Sequence, residues 1–237
     1  MGSDTVPELL RGGWRRSLIN YADGRCDTTS TVVWLQLASQ MVDVRFPSGL
    51  GQLTGRGSLE ACSLDDLKRL AGSEGSSGFT ICTPIVTNPE GKATATAEWF
   101  TRGHGIAFQP ATAYPEPGLL EWNRDGSIMT ERAPSGAYVE QWHRIPDSEK
   151  PLGHRYLDDG RQLYMAGSVA VLVRDRTKPV PRPDRLQTLV AEAGDDHDAV
   201  AALVDCEFSL AEKLHGQFVI THSTLPWRTG EQLDADL

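Results

Sequence analysis

Several signatures that would announce a function class are missing from this chain. The four cysteines, Cys26, Cys62, Cys82 and Cys206, are scattered, without a Cys-x-x-Cys pair or a neighbouring histidine. They therefore suggest neither a zinc site nor a redox motif, and read as reduced, mostly buried small hydrophobes. The six histidines form no His-x-His and no His-Glu-x-x-His, so no metal centre is expected. No run approaches the roughly 20 apolar residues of a membrane span. Met1 to Glu8 lacks the basic start and apolar core of a secretion signal, which predicts a cytoplasmic protein. Gly49, Gly51 and Gly55 miss the dinucleotide spacing by one, and no Gly-x-Ser-x-Gly elbow occurs. Nothing in the chain calls for a cofactor. Positive charge is short as well: a net charge of -9 disfavours nucleic acid and anionic membranes as partners.

What is present is a series of short alternating segments. Five of the six tryptophans, Trp14, Trp34, Trp99, Trp122 and Trp142, lie inside them. Strands are expected at Trp14 to Tyr21, Thr28 to Leu37, Met41 to Phe46, Phe79 to Val86, Lys92 to Arg102, Ile106 to Gln109, Leu119 to Asn123, Ser127 to Arg132, Ala137 to Arg144, Gln162 to Met165 and Ser168 to Val173. Ser63 caps a short helix through about Ala71, after the third strand, and Gly72 to Gly78 reads as a mobile loop.

The segment 174–185, with Pro179, Pro181 and Pro183, reads as an extended connector. A C-terminal helix follows from Leu186, resuming at Ala199 to Leu203, and two last strands are expected near Val204 to Ser209 and Gln217 to His222. The fold class is mainly β: one domain over 1–237, an antiparallel barrel that leaves no edge exposed, with residues 186–237 as its C-terminal helix and strands. No internal repeat is visible.

Strand parity sorts the candidate site residues. Asp125-Gly126 predicts a two-residue type I′ turn, so that Trp122 faces Met129 and Leu120 faces Glu131. A four-residue second turn, Ala133 to Gly136, sets Met129 against Glu140 and Glu131 against Tyr138. Trp122, Met129, Glu131, Tyr138, Glu140 and Trp142 then share one face, while Glu121 points the other way. Two readings compete: an acidic aromatic pocket wall, or a tryptophan core with glutamates at its wet rim. A carboxylate held against tryptophan has a raised pKa and suits acid–base work, which makes Glu140 and Glu131 the candidate acids and Tyr138 a hydrogen-bond donor.

A second set places Trp34 and Gln36 on one strand face, and Met41, Asp43 and Arg45 on another, with Val42, Val44 and Phe46 opposite. The commoner outcome for such a pair is a solvated Asp43–Arg45 ion pair; the alternative is a polar face turned into a cavity. Trp99 completes the ligand-binding candidates. His104, between Gly103 and Gly105, is a candidate proton shuttle at a barrel mouth.

Gly12-Gly13-Trp14 is similar to the Gly-x-Trp signature of lipocalins. The run from Asp27 through Pro47 (Thr28, Thr29, Thr31, Val33, Trp34, Leu35, Gln36, Val42, Asp43, Arg45, Pro47) resembles a lipocalin-like family of fungal and bacterial intracellular proteins. The resemblance implies an eight-stranded barrel closed by Trp14 and a small-molecule ligand. The chain departs from classical extracellular carriers: it has no Thr-Asp-Tyr motif and no evident late arginine to stack on Trp14. The function expected is binding of a small aromatic or apolar molecule, with a lean to cofactor-independent isomerisation, cyclisation or dehydration. The alternatives are a carrier or sensor, and an interaction module built on the proline-rich connector; a homo-oligomer is left open.

Overall fold

The computed structural model describes residues 6–101, 103–111, 116–180 and 182–235. Arg102, at the end of one expected strand, and Pro181 of the connector lie outside them. Eight strands form the barrel: β1 (Gly12–Tyr21), β2 (Thr31–Gln36), β3 (Gln40–Phe46), β4 (Glu74–Cys82), β5 (Ala93–Phe100), β6 (Gly118–Trp122), β7 (Ile128–Arg132) and β8 (Tyr138–Arg144). Each pairs antiparallel with the next, and β8 returns to β1 from Trp14↔Arg144 to Tyr21↔Tyr138. The up-and-down order closes the sheet and removes its edges. Two-residue strands at Cys26–Asp27 and Val86–Thr87 attach to β1 and β5. Helix α1 (Leu64–Leu70) crosses from β3 to β4, its start fixed by a capping box between Ser63 and Asp66.

Six further strands form a second antiparallel sheet: β9 (Leu152–Tyr156), β10 (Gln162–Ala166), β11 (Val169–Arg174), β12 (Glu207–Leu214), β13 (Gln217–Ser223) and β14 (Gln232–Leu233). Between β11 and β12 lie α2 (Leu186–Ala193) and α3 (His197–Val204), which divide at Gly194 the C-terminal helical stretch that the sequence predicts. The strand β9 had no counterpart among the expected elements.

The two sheets are laid down alike, although the sequence shows no repeat. In each, three antiparallel strands lead into a helical crossover and a fourth strand returns beside the third. Arg45 pairs with Glu74 where the first crossover ends, and Arg174 pairs with Glu207 at the same point of the second.

The main core lies between the sheets. Val33, Leu35, Val42, Val44 and Phe46 on the outer face of the barrel share a buried cluster with Val169, Val171, Val173, Phe208 and Leu210 of the second sheet. Burying each such side chain contributes about 1.5–3 kcal/mol. The barrel interior holds a separate cluster that includes Trp14, Trp34, Trp122 and Trp142.

Three expectations are corrected here. Residues 74–78, read as mobile loop, are part of β4. The small side chains of 75–78 serve close packing: a Cβ on Gly75 would meet the Phe208 ring at 2.7 Å, and one on Gly78 would meet the Phe100 carbonyl oxygen at 1.9 Å. Ile106 to Gln109 is no strand, and makes a single bridge from Ala107 to Ser76. The strand expected near Val204 to Ser209 starts later, at Glu207, because α3 runs to Val204.

The proline-rich connector is tethered. Arg176 donates to the carbonyls of Leu203, Ala107 and Phe108 and stacks on the Phe108 ring. No helix among the described residues is long and apolar enough to cross a membrane.

Candidate functional site

The site is assembled in the barrel interior by strand parity. Across β6, β7 and β8, Trp122, Met129 and Trp142 form one row, and Leu120, Glu131 and Glu140 form the next. Two residues along a strand separate the rows by about 7 Å. Glu121 faces outward and binds Lys92 at 2.8 Å.

Two turn predictions are corrected without disturbing that face. Only Gly126 of the Asp125-Gly126 pair has positive φ, so the type I′ turn, which needs two, does not form. A turn with the Gly126 amide donating to the Asn123 carbonyl replaces it, with the expected β6–β7 register. The second turn falls one residue later than predicted, with the Ala133 amide donating to the Tyr138 carbonyl. Glu131 therefore opposes Glu140, not Tyr138, and Met129 opposes Trp142, not Glu140. A slip of two residues preserves which side chains point inward, where a slip of one would scatter them.

The carboxylates meet two arginines. Arg16 donates from Nη1 to Glu140 Oε1 at 2.8 Å and from Nη2 to Asp27 Oδ2 at 2.9 Å. Arg45 binds Asp43 Oδ1 through Nε at 2.7 Å and reaches Glu140 Oε1 through Nη1 at 3.5 Å. Asp43 is 5% exposed, which overturns the solvated ion pair. The second sheet covers the outer face of β3, so Val42, Val44 and Phe46 are buried outward while Asp43 and Arg45 face inward.

Glu131 accepts a hydrogen bond from Tyr138 Oη at 2.9 Å. Burial, and next the negative charge of Glu140, push its carboxyl up to about 8, against the opposing pull of the Tyr138 bond and the Arg45 charge. Burial foremost, with Glu131 beside it, raises the Tyr138 phenol too, so it stays a donor. Burial works to raise Asp27, but amide and hydroxyl bonds from Thr29 and Ser30 outweigh it and hold Asp27 down at about 2. Two cations thus face four carboxyl groups. With Glu131 protonated, the cluster keeps one excess negative charge.

The other candidates take different places. Trp34 packs edge-on to Trp142 at 5.9 Å and to Trp99 at 5.6 Å between ring centroids. Gln36 is buried, accepting from Thr80 Oγ1 at 2.6 Å and donating to the carbonyls of Leu37 and Gln40, which uses it up in holding a hairpin. His104 does not join the carboxylates. It lies exposed beside the second sheet, edge-on to Tyr156, its carbonyl accepting from Gln162.

Trp14 is fully buried, its indole N–H on the Leu10 carbonyl. Over its ring, at 4.2 Å from the centroid, lies the guanidinium of Arg144, the late arginine that the sequence reading did not find. Arg144 also donates to the Arg11 and Leu9 carbonyls at 2.7 and 2.5 Å, closing this end with the N-terminal turn.

Arg16, Asp27 and Arg144 are the residues that sequence reasoning missed. Parity was the signal for two of them: Arg16 is two residues beyond the inward Trp14, and Arg144 two beyond the inward Trp142. Asp27 opened the run that carries the lipocalin-like resemblance but was not read as a site residue; it reaches the site from a two-residue strand beside β1. No protein-family model, no curated protein and no solved structure matches this chain.

Proposed function

We propose that the barrel binds a small aromatic or apolar molecule against its tryptophans and performs cofactor-independent acid–base chemistry on it, an isomerisation, cyclisation or dehydration. The observation that carries this is the unequal pair of carboxyl groups. Glu140 is paired with Arg16 at 2.8 Å and with Arg45 at 3.5 Å, whereas Glu131 accepts from the Tyr138 phenol and holds its proton at neutral pH. Two acids in unlike surroundings divide into a fixed charge and a proton donor. Glu131 is the acid in this reading, Tyr138 its orienting partner, and Glu140 the positioning charge, a different emphasis from the sequence expectation that put Glu140 first. Trp14 beneath Arg144 supports a place among lipocalin-like proteins, and four free cysteines suit a reducing cytoplasm.

Native mass spectrometry of the purified protein identifies a retained small molecule, which is then offered to wild type and Glu131→Gln. Binding by both and turnover by wild type alone is expected. Equal turnover removes Glu131 as the acid, and binding without turnover by wild type assigns the barrel as a carrier.

A further inference from the structure

The tryptophans of the barrel fall into two kinds. The Trp14 indole N–H is spent on the Leu10 carbonyl, and its ring is covered by Arg144. Trp34, Trp122 and Trp142 are 2%, 0% and 1% exposed, yet their indole N–H groups meet no acceptor. An indole nitrogen donates and never accepts, so a buried one without a partner carries a desolvation cost that an acceptor recovers.

These three donors belong to one cluster. Trp122 and Trp142 flank Met129 in one row, and Trp34 lies edge-on to Trp142. The carboxylate row is the next along the strands, and its protonated member, Glu131, is a further donor. Donors therefore outnumber acceptors on the apolar wall. An anion would satisfy them, but the neighbouring carboxylates leave one excess negative charge that opposes it. A cation would answer that charge while leaving every N–H unpaired. A neutral acceptor meets both conditions.

We infer that the ligand is an uncharged, flat apolar molecule bearing carbonyl-type oxygen, read by the indole N–H groups of Trp34, Trp122 and Trp142. This rests on the small-molecule reading of the barrel and narrows it to a chemical class. It also gives the Glu131 proton a destination, since a carbonyl oxygen is what a carboxylic acid polarises.

Two probes of one skeleton test it: 9-fluorenone, which has the carbonyl, and fluorene, which does not. Calorimetry on the full chain is expected to give fluorenone a roughly tenfold tighter Kd, the factor that about 1.4 kcal/mol of recovered hydrogen bonding supplies. In the 15N-labelled protein, fluorenone should move the indole N–H proton resonances of Trp34, Trp122 or Trp142 downfield and spare that of Trp14; fluorene should give no such shift. Trp142→Phe should weaken fluorenone alone. Should that variant fail to fold, the wild-type resonances still decide. Equal binding of both probes with no downfield shift overturns the carbonyl class and leaves the binding barrel standing. Binding of neither overturns both.

Discussion

At the residue scale, Glu131 ties stability and chemistry to pH. Its folded pKa, about 8, lies above the ordinary glutamate value of 4.5, so between these limits the folded chain holds a proton that the unfolded chain has lost. The contribution is present in full below the unfolded value and disappears as pH rises through the folded one, at up to about 1.4 kcal/mol per pH unit. Glu131→Gln keeps the neutral form and flattens this slope. Denaturant titrations of both proteins from pH 5 to 9 should show the variant gaining on wild type as pH rises; parallel curves would deny Glu131 its shift. Any turnover that uses Glu131 as acid should fall as pH passes about 8. Arg144 acts on packing instead, sealing the barrel end through one ring and several carbonyls. Arg144→Ala should cost about 2–3 kcal/mol in the same titrations, from the lost stacking and charged hydrogen bonds.

At the element scale, β4 shows how a strand can be written in loop letters. Glycine and serine at 75–78 suggested mobility, yet two glycines there are forced by neighbours too close for a Cβ. Gly78→Ala should lose about 3 kcal/mol or more, since the Phe100 carbonyl oxygen belongs to a paired backbone and cannot move aside. Gly51 offers the control, with open space around it and no positive φ. Gly51→Ala should be neutral or stabilising by about 0.5 kcal/mol. Similar losses at both positions would contradict the packing assigned to β4. The β6–β7 and β7–β8 hairpins teach the opposite lesson: both turns differ from their predicted geometry, and the inward face survives.

At the scale of the whole molecule, the barrel and the second sheet share one apolar layer. Phe208 lies at its centre, its ring against Gly75, and Phe208→Ala should cost about 3–5 kcal/mol by opening a cavity there. Tryptophan fluorescence, which reports mainly the barrel, and far-ultraviolet dichroism, which reports both sheets, should unfold at one midpoint in wild type. Two separate midpoints would mean that the barrel stands without its partner sheet. The same layer decides the chemistry inside the barrel. By burying the outer faces of β2 and β3, it leaves the inner face of β3 to carry the charges of Asp43 and Arg45.

What the sequence determined by itself was local: strand alternation, the helix start at Ser63, the antiparallel barrel class, and the shared face of Trp122, Met129, Glu131, Tyr138, Glu140 and Trp142. Parity needs only neighbouring residues and survives an even slip in register. What only the tertiary structure decided was the environment of that face. Whether Asp43 and Arg45 meet water depended on the second sheet packing behind them. That Glu131 keeps a proton depended first on its burial and then on the charge of Glu140 beside it, both set by the packed barrel. Solvation and charge pairing act through space, and no spacing along the chain encodes them.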